Sequence, residues 1–213
     1  MHVEAFEVSP FAENCYVCHS AGEAVLIDPG TLAPEEEGRV EQYISENDLA
    51  VRYLLLTHGH LDHVFGCAHF AQAYPEAGGW HLHEEDEPLM ARAKQQAQMY
   101  GVPMRQPPEP QHRLAHGDII QFGEAEWEVR HAPGHSPGSV VFVDHAHRLV
   151  IGGDVLFQGS VGRTDLYKGS WPVLEGSIRE QLLTLPDDYR LYPGHGPATT
   201  IGHERATNPF LNG

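Results

Sequence analysis

The 213 residues carry 13 Lys and Arg against 30 Asp and Glu, a formal net charge of −17. A field of that sign repels phosphate backbones and anionic lipid, which argues against nucleic acid and membrane partners. Hydrophobic residues make up 41%, and a chain of this length buries roughly 70% of its unfolded surface around one core, so disordered and fibrous classes are disfavoured.

The N-terminal Met1-His2-Val3-Glu4 has no basic region leading into an apolar one, and no run approaches the ~20 apolar residues of a membrane span. The expectation is a soluble, cytoplasmic protein. Strand patterns fall at 3–8, 14–19 and 24–27, followed by an Asp28-Pro29-Gly30 turn. Cys15 and Cys18 lie three apart on the second of these strands and so face opposite sides, which suits packing rather than a metal or redox pair. Cys67 makes the total odd, so no disulfide framework is expected. A helix is expected at 34–47, a short apolar strand at 52–56, a helix at 62–74, a strand at 80–83 and a helix at 84–99. After a proline-rich loop at 103–110, strands follow near 118–122, 126–131, 139–143 and 149–151, then a helix at 171–185 and a strand at 190–192. Strands arrive in runs with helices between them, which favours sheets covered by helices over a strictly alternating parallel sheet. No linker interrupts the pattern, so residues 1–213 read as a single domain.

Four segments share one design. The strand Tyr53-Leu54-Leu55-Leu56 runs into His58 and His60, Trp127-Glu128-Val129 into His131 and His135, Leu149-Val150-Ile151 into Asp154, and Arg190-Leu191-Tyr192 into His195. In each, glycine permits an unusual turn and a metal-competent side chain follows. Four such ends at one rim of a sheet would converge. The densest stretch, His58-x-His60-x-Asp62-His63, mixes imidazole and carboxylate, donors suited to Zn, Fe or Mn. With His135, Asp154 and His195 the candidates number seven, enough for two ions ~3.5–4 Å apart with one shared carboxylate. Most of the other histidines lack such context. His131 reads as structural, His69 as packed or exposed, and His81 and His83 as alternating strand residues.

Thr57-His58-Gly59-His60-Leu61-Asp62-His63 resembles the T-H-x-H-x-D-H signature of the metallo-β-lactamase superfamily. Pro133-Gly134-His135, Gly152-Gly153-Asp154 and Pro193-Gly194-His195-Gly196 match its later motifs in order. The resemblance implies an α+β fold, a four-layer αβ/βα sandwich with two sheets face to face and a metal site at one edge. It implies two divalent ions, Zn first with Fe or Mn as alternatives: His58, His60 and His135 on one, Asp62, His63 and His195 on the other, and Asp154 bridging. Within the superfamily the chain is similar to the glyoxalase II group, more closely to its short bacterial relatives. That implies hydrolysis of a small-molecule thioester such as S-lactoylglutathione by a metal-bridging hydroxide, with Asp62 and Asp154 in the catalytic centre. The additional C-terminal helical part of long glyoxalase II has no counterpart before Gly213. The Lys and Tyr of its substrate loop correspond to Arg163 and Asp165, so Arg163 is the expected contact to a substrate carboxylate while the Tyr contact is lost. Persulfide dioxygenase is the rival enzyme, with a single iron on the subset His58, His135 and Asp154. A non-catalytic metal-binding scaffold is the non-enzyme alternative. A secreted β-lactamase is expected to show a signal peptide, and an RNA-processing nuclease a basic face.

Overall fold

The protein is described from a computed structural model, for residues 1–212. Its chain divides into two compact units, residues 1–114 with 121–125, and residues 115–120 with 126 onward.

The first unit holds a sheet in the order of the chain: β1 (His2–Val8), β2 (Glu13–Ser20), β3 (Glu23–Ile27), β4 (Ala50–Leu55), β5 (Trp80–His83) and β6 (His112–Leu114). The first three strands form an antiparallel meander, and β3 to β6 run parallel. Parallel neighbours need crossovers, supplied by α1 (Pro34–Glu46), α2 (Cys67–Ala73) and α3 (Glu87–Met99). Alternation chooses the face that meets these helices. Cys15, Val17, Leu26, Leu54, Trp80 and Leu82 pack in one cluster with Val40 and Ile44 of α1, Phe70 of α2 and Met90 and Ala93 of α3. Pro34 opens α1, and the Glu36 carboxylate accepts from the amides of Leu32 and Ala33 at its start.

The second unit is built on the sheet ordered β14-β13-β10-β9-β8-β7. Its strands are β7 (Ile119–Phe122), β8 (Ala125–His131), β9 (Val140–Asp144), β10 (Leu149–Gly153), β13 (Arg190–Pro193) and β14 (Thr199–Thr200). A two-stranded ribbon of β11 (Leu156–Phe157) and β12 (Ser160–Val161) leaves the end of β10. Val141, Val143, Val150 and Leu191 pack against Leu174 of α4 (Trp171–Ser177) and Ile201 of α5 (Ile201–Thr207).

Three expectations are corrected here. The helix at 62–74 is a single 3-10 turn, Leu61–His63, and then α2 from Cys67. Gly66 gives its amide to Pro29 O at 2.7 Å rather than continuing the helical ladder, and a Cβ there would lie 2.2 Å from Thr31 Oγ1. The helix at 171–185 ends as α4 and continues as a π turn, Ile178–Leu182. The four ligand-bearing strand ends do not share one sheet: β4 lies in the first, and β8, β10 and β13 in the second. No helix among the described residues is long and apolar enough to cross a membrane.

Asp144 shows how the second unit pays for buried polarity. Fully buried, it accepts from the Trp127 indole at 3.0 Å and from the amide and Nδ1 of His147, both at 2.9 Å. Asp144→Ala leaves the indole N–H without that acceptor and is expected to cost about 2–4 kcal/mol. Urea denaturation checks it, and a loss below about 0.5 kcal/mol, the range of an ordinary surface change, contradicts this role.

Candidate metal centre

Strand direction gathers the first set of donors. Because β3, β4 and β5 are parallel, Asp28, His58 and Asp86 follow their C-terminal ends. Glu13 opens β2, which is antiparallel to β3, and so joins the same rim. Asp28 carries a left-handed φ of 47° and is almost wholly buried. Its Oδ1 accepts from the Thr57 amide at 2.7 Å, and its Oδ2 from the Thr57 hydroxyl at 2.5 Å and His63 Nδ1 at 3.1 Å. Asp86 accepts from the Gly59 amide at 2.8 Å, and Glu13 from the Gly30 amide at 3.2 Å. The turn between the histidines is therefore fixed by buried carboxylates.

The imidazoles are close. Ring centroids of His58 lie 4.8 Å from His60 and 4.1 Å from His63, and all three rings are buried. The hydrogen bonds set their tautomers. The Thr57 hydroxyl spends its proton on Asp28, so at 3.0 Å it accepts from His58 Nδ1–H. His63 Nδ1–H donates to Asp28. Both rings then offer the Nε2 lone pair, the form a cation takes. Asp28, His58 and His63 each bring a ligand atom within 4.8 Å of the others. Nearby thiols do not compete. Burial, reinforced by Glu13 and Asp28, pushes the Cys15 and Cys67 thiols well up, so neither is a thiolate at neutral pH.

The second unit gathers the other three. Since β9 is antiparallel to both β8 and β10, and β10 is parallel to β13, the strands before His135, Asp154 and His195 end at one edge. His135 follows Gly134, whose φ of 127° and whose approach to the Leu174 backbone leave no room for a Cβ. His135 Nδ1–H donates to Arg163 O at 2.8 Å, so its lone pair too is on Nε2. Asp154 Oδ2 stands 3.5 Å from His135 Nε2 and 3.6 Å from His195 Nε2. Those gaps are long for hydrogen bonds. They lie at or just beyond the ~3.3–3.5 Å edge between two ligands each about 2.0–2.1 Å from one tetrahedral cation. The donor set of both units, imidazole Nε2 and carboxylate oxygen, fits divalent Zn, Fe or Mn.

All seven expected ligands lie on turns that follow strands, His58, His60, Asp62 and His63 in the first unit and His135, Asp154 and His195 in the second. The Arg163 guanidinium is held by Asp165. His131 Nε2–H donates to Pro137 O at 2.9 Å, and His81 stacks on His112 with ring centroids 4.3 Å apart. Burial pushes the His81 imidazole down to about 4. His69 pairs with Glu37 and Glu41 of α1.

Four residues that organise the site escape sequence reasoning. Asp28 repeats the design of an apolar strand ended by a carboxylate and glycine, a signal readable in Val25-Leu26-Ile27-Asp28-Pro29-Gly30. Glu13 and Asp86 carry no such context. Glu204 of α5, wholly buried, accepts from the Gly159 amide at 2.8 Å, Thr199 Oγ1 at 2.5 Å and Asn208 Nδ2 at 2.9 Å. It thereby pins the β11–β12 turn between Asp154 and the carbonyl that holds His135.

Residues 8–195 match the metallo-β-lactamase superfamily. The chain belongs to that superfamily. It is 40% identical over 214 residues to the hydroxyacylglutathione hydrolase GloC of Haemophilus influenzae, covering 100% of this chain and 99% of GloC. Among solved structures it is similar to BLEG-1, a B3 metallo-β-lactamase, with a TM-score of 0.89 and 32% identity over the whole of both chains. It is also similar to TTHA1623, solved in a di-iron-bound form, with a TM-score of 0.87 and 39% identity over 98% of this chain and 100% of that one. The α+β metallo-β-lactamase fold is thus the fold of this chain, a metal-dependent hydrolase by family.

Asp28→Asn keeps the shape but not the charge that holds Thr57 and His63. Metal affinity, measured by chelator competition, is expected to fall about 10- to 100-fold with the circular dichroism unchanged. Unaltered affinity contradicts the positioning role.

Proposed function

We propose that this protein hydrolyses small-molecule thioesters, S-lactoylglutathione being the first to test, at a centre of two divalent cations. His58, His60 and His135 would hold one cation, Asp62, His63 and His195 the other, and Asp154 would be shared between them. The observation that carries this reading is the Asp154 carboxylate oxygen, placed almost equally from His135 and His195. One oxygen shared between two imidazoles is what a bridging ligand requires. The name of the GloC relative supports the substrate class, and the di-iron form of TTHA1623 supports a pair of ions. Zinc is proposed first, and iron or manganese would occupy the same donors.

Cations so held would supply a water whose pKa is brought toward ~7 and positive charge that stabilises an oxyanion. The chain supplies the rest. Asp28, Thr57 and the Arg163 carbonyl hold the Nδ1 side of His63, His58 and His135 and so leave Nε2 as the donor atom of each ring. Asp62 serves as a ligand and not as a proton donor. No dedicated acid is required, because a thiolate leaving group with a conjugate pKa of ~8.5 departs unprotonated.

The test is thiol release from S-lactoylglutathione, trapped colorimetrically, for the wild type and Asp154→Ala. Turnover by the wild type and a loss of about 100- to 1,000-fold in kcat in the variant are expected. Undiminished turnover in Asp154→Ala contradicts the mechanism. Oxygen uptake with glutathione persulfide and no thiol release contradicts the substrate class, as does faster opening of a chromogenic β-lactam.

A further inference from the structure

Arg163 stands at a junction in the second unit. Its carbonyl accepts from His135 Nδ1, while its guanidinium makes a two-pronged pair with Asp165, Nε to Oδ1 at 2.7 Å and Nη2 to Oδ2 at 2.8 Å. Beside it opens a hollow of about 430 Å³ lined by Val161, Gly162, Arg163, Thr164, Trp171 and Phe210. The Trp171 and Phe210 rings meet edge to face at 6.2 Å. Gly162 brings the hollow against the candidate ligand, since a Cβ there would lie 3.0 Å from His135 Nδ1. The walls are apolar and aromatic, and Arg163 is the only cation among the lining residues. The Arg163 hydrogen bonds hold the Asp165 carboxyl down to about 2, so the pair stays ionised throughout the neutral range.

We propose that Asp165 is a specificity-determining residue: its carboxylate occupies the Arg163 guanidinium and tunes the hollow beside His135 to a thioester arm that is apolar and uncharged there. The assignment rests on the thioester reading for its substrate class. A carboxylate-ended arm, such as an end of glutathione, reaches the guanidinium only by displacing Asp165. The displaced Asp165 then remains close by as a like charge. An exposed pair competes modestly, so the discrimination is a matter of severalfold rather than all or none.

The test separates binding from catalysis. Trp80 and Trp127 are fully buried, whereas Trp171 is partly exposed on the hollow, so quenching of fluorescence by added ligand reports Trp171. The probes are S-methylglutathione, which carries carboxylates, and S-methyl-N-acetylcysteamine, which carries none. Neither has a thioester or a free thiol. Asp165→Asn is expected to tighten S-methylglutathione binding about three- to fivefold and to leave the neutral probe unchanged. The double variant R163Q/D165N is expected to lose that gain. Unchanged or weaker S-methylglutathione binding in Asp165→Asn, equal tightening of both probes, or no saturable quenching by either overturns the assignment. Because no bond breaks in this assay, a protein that fails to release thiol from thioesters counts against the hydrolase reading, and a missing affinity shift counts against Asp165.

Discussion

Imidazole Nδ1–H groups directed at fixed oxygens are the interaction on which this site depends. Asp28 holds His63 directly and His58 through the Thr57 hydroxyl, and the Arg163 carbonyl holds His135. A histidine that is free to change tautomer or rotate presents a lone pair only part of the time. One held by Nδ1 presents Nε2 always. The cost is the burial of Glu13, Asp28 and Asp86 together with three imidazoles. Amide donors from Gly30, Thr57 and Gly59 offset part of it, and a cation among the lone pairs would offset more.

The same economy of placement acts at the level of the sheets. Three parallel strands in the first unit, and three strands of common direction in the second, each end at one edge. Side chains just past those ends come together without any long loop reaching across. Where the backbone must turn hard, a special conformation is accepted: Asp28 at φ 47° and Gly134 at φ 127°. At Gly134 the approach of the Leu174 backbone makes glycine obligatory.

Much of this was legible in the chain, for stated reasons. The strands β3, β4, β8, β9 and β10 announced themselves by short apolar runs or alternation, and the histidine-rich turn by the density of donors between His58 and His63. The break at Gly66 was hidden, because its cause is the carbonyl of Pro29, far away in sequence. So were β6, with three residues beside a proline-rich loop, and the pair β14 and α5, where Thr200 caps a helix of only seven residues. Glu13, Asp86 and Glu204 were illegible for a common reason. A buried carboxylate is recognised by the amides it accepts from, and these lie on other segments. The Arg163–Asp165 pair lies two residues apart, yet spacing alone does not reveal which partner the guanidinium has chosen.

The proposed centre, with Asp154 as its shared ligand, is open to one direct measurement. Metal is quantified by plasma mass spectrometry on wild type and Asp154→Ala, each purified without added metal. About two equivalents per chain are expected in the wild type, falling to one or fewer in the variant although every residue of the histidine-rich turn is intact. Two equivalents retained by Asp154→Ala would show that both ions bind without the Asp154 carboxylate, and the shared-ligand centre would have to be abandoned.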